Sequence, residues 1–410
     1  MGRRSRTYIL SFACMALAGC ADNSYRGFYD VDDTDSIMPI AVRIMIGSSD
    51  DITGAGPAER PQAKGAGVVD EASQLSGRDI YVYAFNSEMN TSMSVTSAED
   101  ENRCLIDGSL DRPGTLAGKR ARLSDISNVI EWQDDDGQIF WPDGNRSRQI
   151  YSLFAYYVDD IPLTEENFIR MDDAVAVEVE IDGNQDLMSS KAEMTNEQKV
   201  LFKDDKELAD MMYYCYSYYA AQNGINPVIV FKHHLVKLDF AIQPGCTIGH
   251  SSRVTVKSLE IMSRHKALFT VADKANPSNV GLQFADSYKA MPLEEEGGGP
   301  LAGDYTVVTY PSRDQAPVNA RMRLGGSLIV APDSEYTAYI TLSETREDGS
   351  VIADRVTELV LATGKGFEAG NRYNATLTIC GAGDIEMSVH LKEWYEGGDI
   401  FVDDEEKPSI

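Results

Sequence analysis

The sequence predicts an all-β protein built from antiparallel sandwiches. Apolar and polar residues alternate at period two through most of the chain, and turn residues separate the alternating segments. Crossover helices of the kind a parallel sheet requires are few. At 410 residues, 43% hydrophobic and 25% charged, the chain is globular in composition and long enough for two domains.

The first twenty residues read as an export signal. Arg3, Arg4 and Arg6 precede an apolar stretch at 8–16, which is too short to span a bilayer and suits a signal-peptide core. Leu17, Ala18, Gly19 and Cys20 follow and resemble the bacterial lipoprotein processing box. Small Ala18 and Gly19 let a peptidase approach the scissile bond, and the Cys20 thiol accepts diacylglyceryl before cleavage. Removing the three arginines takes the net charge from −28 to −31. Two or three acyl chains, at roughly 0.8 kcal/mol per buried CH₂, anchor a protein without a transmembrane helix. Ala21 rather than an acidic residue follows the cysteine, so the expected address is the outer membrane. Residues 21–36 are polar and acidic, the composition of a solvated tether.

Alternating segments then fall at 40–46, 79–85, 149–158, 174–181, 227–242, 253–261, 305–310, 335–342, 372–379 and 385–391. One segment departs from this pattern. Residues 195–221 carry Leu201, Leu208, Met211, Met212 and Cys215 at near-helical spacing, Thr195 and Gln198 form a capping-box pattern, and Gly224 would stop the helix. The expected organisation is a signal peptide at 1–20, a tether at 21–36, an N-terminal sandwich at 37–230 and a C-terminal sandwich at 231–410. The N-terminal sandwich carries a helical insertion near 195–222. The tyrosine-rich run at 213–219 packs on the sheet or offers a recognition face.

Nothing nominates an enzyme, a metal or a cofactor. Adjacent His233 and His234 point to opposite faces of a strand and cannot share a ligand. His250, His265 and His390 stand apart in the sequence. The acidic turn at 134–137 lacks the alternating ligands and closing glutamate of a calcium loop. Cys104, Cys215, Cys246 and Cys380 contain no C-x-x-C pair, so they form disulfides in one of three pairings or remain buried thiols. An excess of 65 acidic over 37 basic residues repels a phosphate backbone, so nucleic acid is not an expected partner.

Several segments, taken in order, resemble the fimbrillin family of surface lipoproteins and pilins of Gram-negative bacteria. FWPDG at 140–144 leads into YSLFAYY at 151–157. DLM follows at 186–188, FKH at 231–233 with KLDF at 237–240, and AGNRY at 369–373 with TLT at 376–378 ahead of Trp394. The resemblance covers roughly 36–402, and the insertion between Asp186 and Phe231 is longer than the family's usual link.

It implies two tandem Greek-key, transthyretin-like sandwiches and a subunit that joins other pilin subunits by β-strand exchange. The lipid on Cys20 would hold it to the outer membrane within a fimbrium. In the family's stalk subunits a trypsin-like protease removes the first strand after an arginine; Arg43 and Arg60 are the matching positions here. The acidic end after 400–402 leaves little for a long donor strand, which points to an anchor, a tip or another accessory role in adhesion. The alternative is a surface lipoprotein that binds glycan or host protein without polymerising, through 213–219 or 134–141.

Overall fold

Alternation produces strands throughout the computed structural model. The structure describes residues 38–46, 72–86, 104–106, 117–124, 128–133, 139–141, 149–171, 173–201, 216–246, 250–302, 305–312, 315 and 320–393. In chain order the first strands are β1 (Arg43–Ile46), β2 (Asp79–Asn86), β3 (Cys104–Ile106), β4 (Lys119–Leu123), β5 (Ile130–Trp132), β6 (Tyr151–Val158), β7 (Phe168–Arg170), β8 (Ala174–Glu180) and β9 (Leu187–Lys191). Among the described residues, two short helices follow, α1 (Asn196–Leu201) and α2 (Tyr218–Gln222). The chain resumes with β10 (Val228–His233), β11 (Val236–Pro244), β12 (Ser252–Arg264), β13 (Lys266–Asp273), β14 (Gly281–Phe284), β15 (Tyr288–Pro292) and β16 (Thr306–Val308). It ends in β17 (Met322–Val330), β18 (Asp333–Arg346), β19 (Val351–Phe367), β20 (Asn371–Gly381) and β21 (Asp384–Glu393).

The protein is all-β, and its described residues form four sheets. The largest runs β1-β10-β9-β6-β2-β4-β5, with β3 on β2. The others are β14-β13-β8-β7, β17-β11-β20-β21, and β15-β12-β18-β19 with β16 on β12. Most pairs are antiparallel, but β1 lies parallel to β10 and β11 parallel to β20. The described residues belong to one compact unit.

The segment read as one strand over 227–242 is two. β10 belongs to the largest sheet and β11 to the β17-β11-β20-β21 sheet, and the chain bends at His234, whose amide bonds to Leu187 O (3.0 Å). The chain bends again at His265, between β12 and β13. β13 then pairs with β8, so residues 266–273 share a ladder with 174–180. Strands that switch sheets at such bends form the corners of orthogonal packings.

β6 lies at the centre, and all eight of its residues are buried. Its two faces meet different cores. Leu153, Ala155 and Tyr157 join Val42, Val82, Trp141 and Phe231, whereas Phe154 and Tyr156 join Val177, Phe240 and Phe269. A strand covered on both sides loses the alternation of burial that a half-exposed strand shows.

The expected insertion is helical at both ends within the described residues. Thr195 Oγ1 accepts from the Gln198 amide (3.1 Å), and Gln198 Oε1 accepts from the Thr195 amide (3.2 Å), which completes the capping box. Ser217 caps α2, and Gly224 follows with φ +79°. Residues 202–215 lie outside the described residues.

Candidate functional site: an inserted first strand

Residues 38–46 are the clearest local device in the fold. Isoleucine and valine alternate here with Ala41, Arg43 and Met45, a β-branched pattern that favours extended backbone. Ile40, Val42 and Ile44 are fully buried, while Arg43 faces solvent. Burying three such side chains is worth roughly 2 kcal/mol each.

The segment is hydrogen-bonded along both edges. On one side Arg43, Ile44, Met45 and Ile46 lie in parallel register with Val228, Ile229, Val230 and Phe231. The Arg43 amide also donates to Pro227 O (3.0 Å). On the other side the Ile40 amide donates to Ile139 O (2.8 Å) and the Ile44 amide to Asn128 O (2.8 Å). The Trp141 amide reaches Met38 O and the Ile130 amide reaches Val42 O, both at 2.9 Å. Trp132 Nε1 donates to Ile40 O (3.1 Å).

These bonds join the two ends of the largest sheet into a closed ring of strands. The slot around the segment is walled by Ile130, Trp141, Ile229 and Phe231, and Trp141 packs on Tyr151 with ring centroids 6.1 Å apart. Withdrawing the segment would expose an apolar trough flanked by two rows of unpaired amides and carbonyls, which is a template for another strand.

The other candidates fall in different places. Arg43 presents its side chain outward, but its amide bonds to Pro227 O, and the adjoining Val42 carbonyl and Ile44 amide bond to Ile130 and Asn128 on the opposite edge. Arg60, Leu17, Ala18, Gly19 and Cys20 lie outside the described residues. Of the tyrosine run, Tyr216 and Tyr218 are buried in the core that holds β1, so these two pack rather than present a face. In the acidic loop Trp141 is also core, and 134–138 lie outside the described residues.

His233 and His234 have separate partners, as their positions on the strand require. His233 Nδ1 lies 3.0 Å from an Asp186 carboxylate oxygen, with both side chains buried. His234 Nε2 meets Ser189 Oγ at 2.7 Å, and burial pushes its pKa down to about 4. Cys246 and Cys380 are free thiols. Among the described residues no group of His, Cys, Asp and Glu is arranged to hold a metal ion, and no helix is long and apolar enough to cross a membrane.

No family model matches the chain, and no curated protein is similar to it. It is similar to several solved structures. One is a fimbrial protein from Bacteroides vulgatus, with 12% identity over 87% of this chain and 99% of that one, at a TM-score of 0.45. Another is a candidate cell adhesion protein from Bacteroides uniformis, with 17% identity over 88% and 100% and a TM-score of 0.39. A third is the fimbrial anchor protein Mfa2 from Porphyromonas gingivalis, with 11% identity over 87% and 98% and a TM-score of 0.34.

The pairing of β1 with β10 leaves no local trace in the sequence, because about 180 residues separate them and their register is parallel. The slot's visible parts are the alternation at 40–46 and 227–242, the FWPDG segment and Phe231 of FKH.

Proposed function

We propose that this chain is a lipid-anchored fimbrial subunit of the outer membrane, with a structural role rather than a catalytic one. It would act as an anchor, tip or other accessory pilin in adhesion and pair with other subunits by strand complementation. The observation that carries this reading is segment 38–46, which is bonded along both edges and fills a slot between β10 and β5.

Chain order adds a constraint. Cys20 precedes β1, so a chain that keeps its lipid through an unbroken backbone also keeps β1. The anchored form therefore has a filled slot and accepts no neighbour's strand there, which suits a subunit that ends a fibre. A cut after Arg60 would separate the lipid and all of β1 from the body and leave the slot available for exchange, whereas a cut after Arg43 would leave Ile44–Ile46 on the body.

Mass mapping of the subunit in sheared surface fibres tests this proposal. The expected result is an acylated Cys20 start, with residues 38–46 retained and the subunit present in minor amount. A start just after Arg60, with β1 gone, would instead make it a repeating acceptor. Absence from the fibres would favour a non-polymerising surface lipoprotein that binds glycan or host protein.

A further inference from the structure

The geometry points to a binding site for a neutral saccharide in a cleft where β2 begins and β6 ends. The cleft has a volume of about 490 Å³, within the range of small-molecule sites. It shares no residue with the slot around 38–46, so the inference is independent of the assembly reading.

An interlocked polar group forms its floor. Tyr157 donates its hydroxyl hydrogen to Asp159 Oδ1 (2.8 Å), and Arg78 Nη1 donates to the Tyr157 oxygen and to the same carboxylate oxygen (3.3 Å). The Arg78 guanidinium lies 5.8 Å from the Tyr157 ring centre. The group rests on a rigid frame: Tyr157 is buried in β6, β2 and β6 share a ladder, and the Asp159 amide bonds to Asp186 O (3.2 Å). A ligand would therefore meet preset donors and acceptors rather than mobile side chains.

Charge balance selects the class of ligand. Arg78 is matched by Asp159, and Asp79 by Arg122 (2.6 Å) and Arg120 (3.6 Å). Of the charged residues on the lining, Arg78 is positive and Asp79, Asp159 and Asp160 are negative, and Arg120 and Arg122 offset Asp79 from outside the lining. An anion would meet Asp159 and Asp160, and a cation would meet Arg78. A sugar hydroxyl donates and accepts, so it can use the carboxylates and the remaining guanidinium hydrogens together. Ile161, Leu163 and Tyr81, which is stacked on Tyr156 (5.4 Å), supply apolar wall for the C–H face of a pyranose.

Asp160 makes the test clean. Its φ is +49°, a conformation glycine adopts without strain, so Asp160→Gly removes a carboxylate at no backbone cost. The full chain should be screened on an array of neutral, sialylated and uronate-containing oligosaccharides, and the best neutral binder titrated by calorimetry. The inference expects Asp160→Gly and Arg78→Lys each to weaken binding at least tenfold, with the Asp160→Gly melting temperature unchanged or higher. No neutral oligosaccharide bound at millimolar concentration would overturn it. So would a preference for acidic glycans, or affinity that neither variant changes.

Discussion

The carbonyl of Val42 accepts the Ile130 amide at 2.9 Å, and this contact joins the first strand of the protein to the far end of its own sheet. Val42 and Ile130 are both buried in the core inside the ring. The ring leaves no open edge at this point while residues 38–46 are in place, so any exchange of strands must begin with their departure.

If the segment supplies a substantial part of this core, truncating it should be costly. Ile44→Ala should lower unfolding free energy by about 2–4 kcal/mol. Val356→Ala, on the solvent-exposed part of β19, should change it by less than about 0.5 kcal/mol. Urea titrations of the two variants against the parent chain check the contrast.

The main chain at Arg43 is bonded to Pro227 on one side and flanked by the bridge to Val129 on the other. A protease must draw its substrate out into an extended conformation, and these bonds oppose that. Cleavage after Arg43 by a trypsin-class enzyme should therefore be at least tenfold slower in the native chain than in Ile44→Ala. Timed digestion read by mass spectrometry follows that single bond.

Two groups shifted by desolvation give opposing pH dependences. Burial holds the Asp159 carboxyl up at about 6, against the lowering pull of the Tyr157 hydroxyl and Arg78. Between about pH 4 and 6 the folded chain keeps a proton that the unfolded chain releases, so this group's contribution to stability falls as pH rises. His234, held down at about 4 by burial and the neighbouring His233 and Lys232 charges, acts in the opposite sense, because the unfolded chain binds the extra proton. Asp159→Asn removes only the first effect. From pH 4 to pH 7 it should gain about 2–3 kcal/mol relative to the parent chain. Parallel stability curves would refute this.

Asp186 and His233 are buried together with 3.0 Å between nitrogen and oxygen. Removing one partner leaves the other without its match in a site that excludes water. Asp186→Ala should cost at least about 2 kcal/mol. Asp186→Leu combined with His233→Phe should cost less than the two single changes together, as a double-mutant cycle in denaturant would reveal.

Local patterning made the centres of β2, β6, β8, β18 and β20 legible, because each alternates or is continuously apolar between turn residues. It missed β19, seventeen residues long. That strand lies at a sheet edge, and Asp354, Arg355, Glu358 and Lys365 interrupt its alternation where solvent permits them. It also merged β10 with β11, since the bend at His234 is set by a bond to distant Leu187. The cleft left even less trace. Arg78 and Asp159 are 81 positions apart, and only the pairing of β2 with β6 brings them together.

The account rests on residues 38–46 filling a slot shaped for a single strand, and competition measures that directly. A unique protease site placed within 47–71 would be cut in the folded protein, followed by excess labelled peptide copying 38–46. The account predicts one labelled peptide taken up per body, with release of the native strand and retention of the fold. A cut body that loses its first strand, takes up no peptide and melts at the unchanged temperature would contradict it.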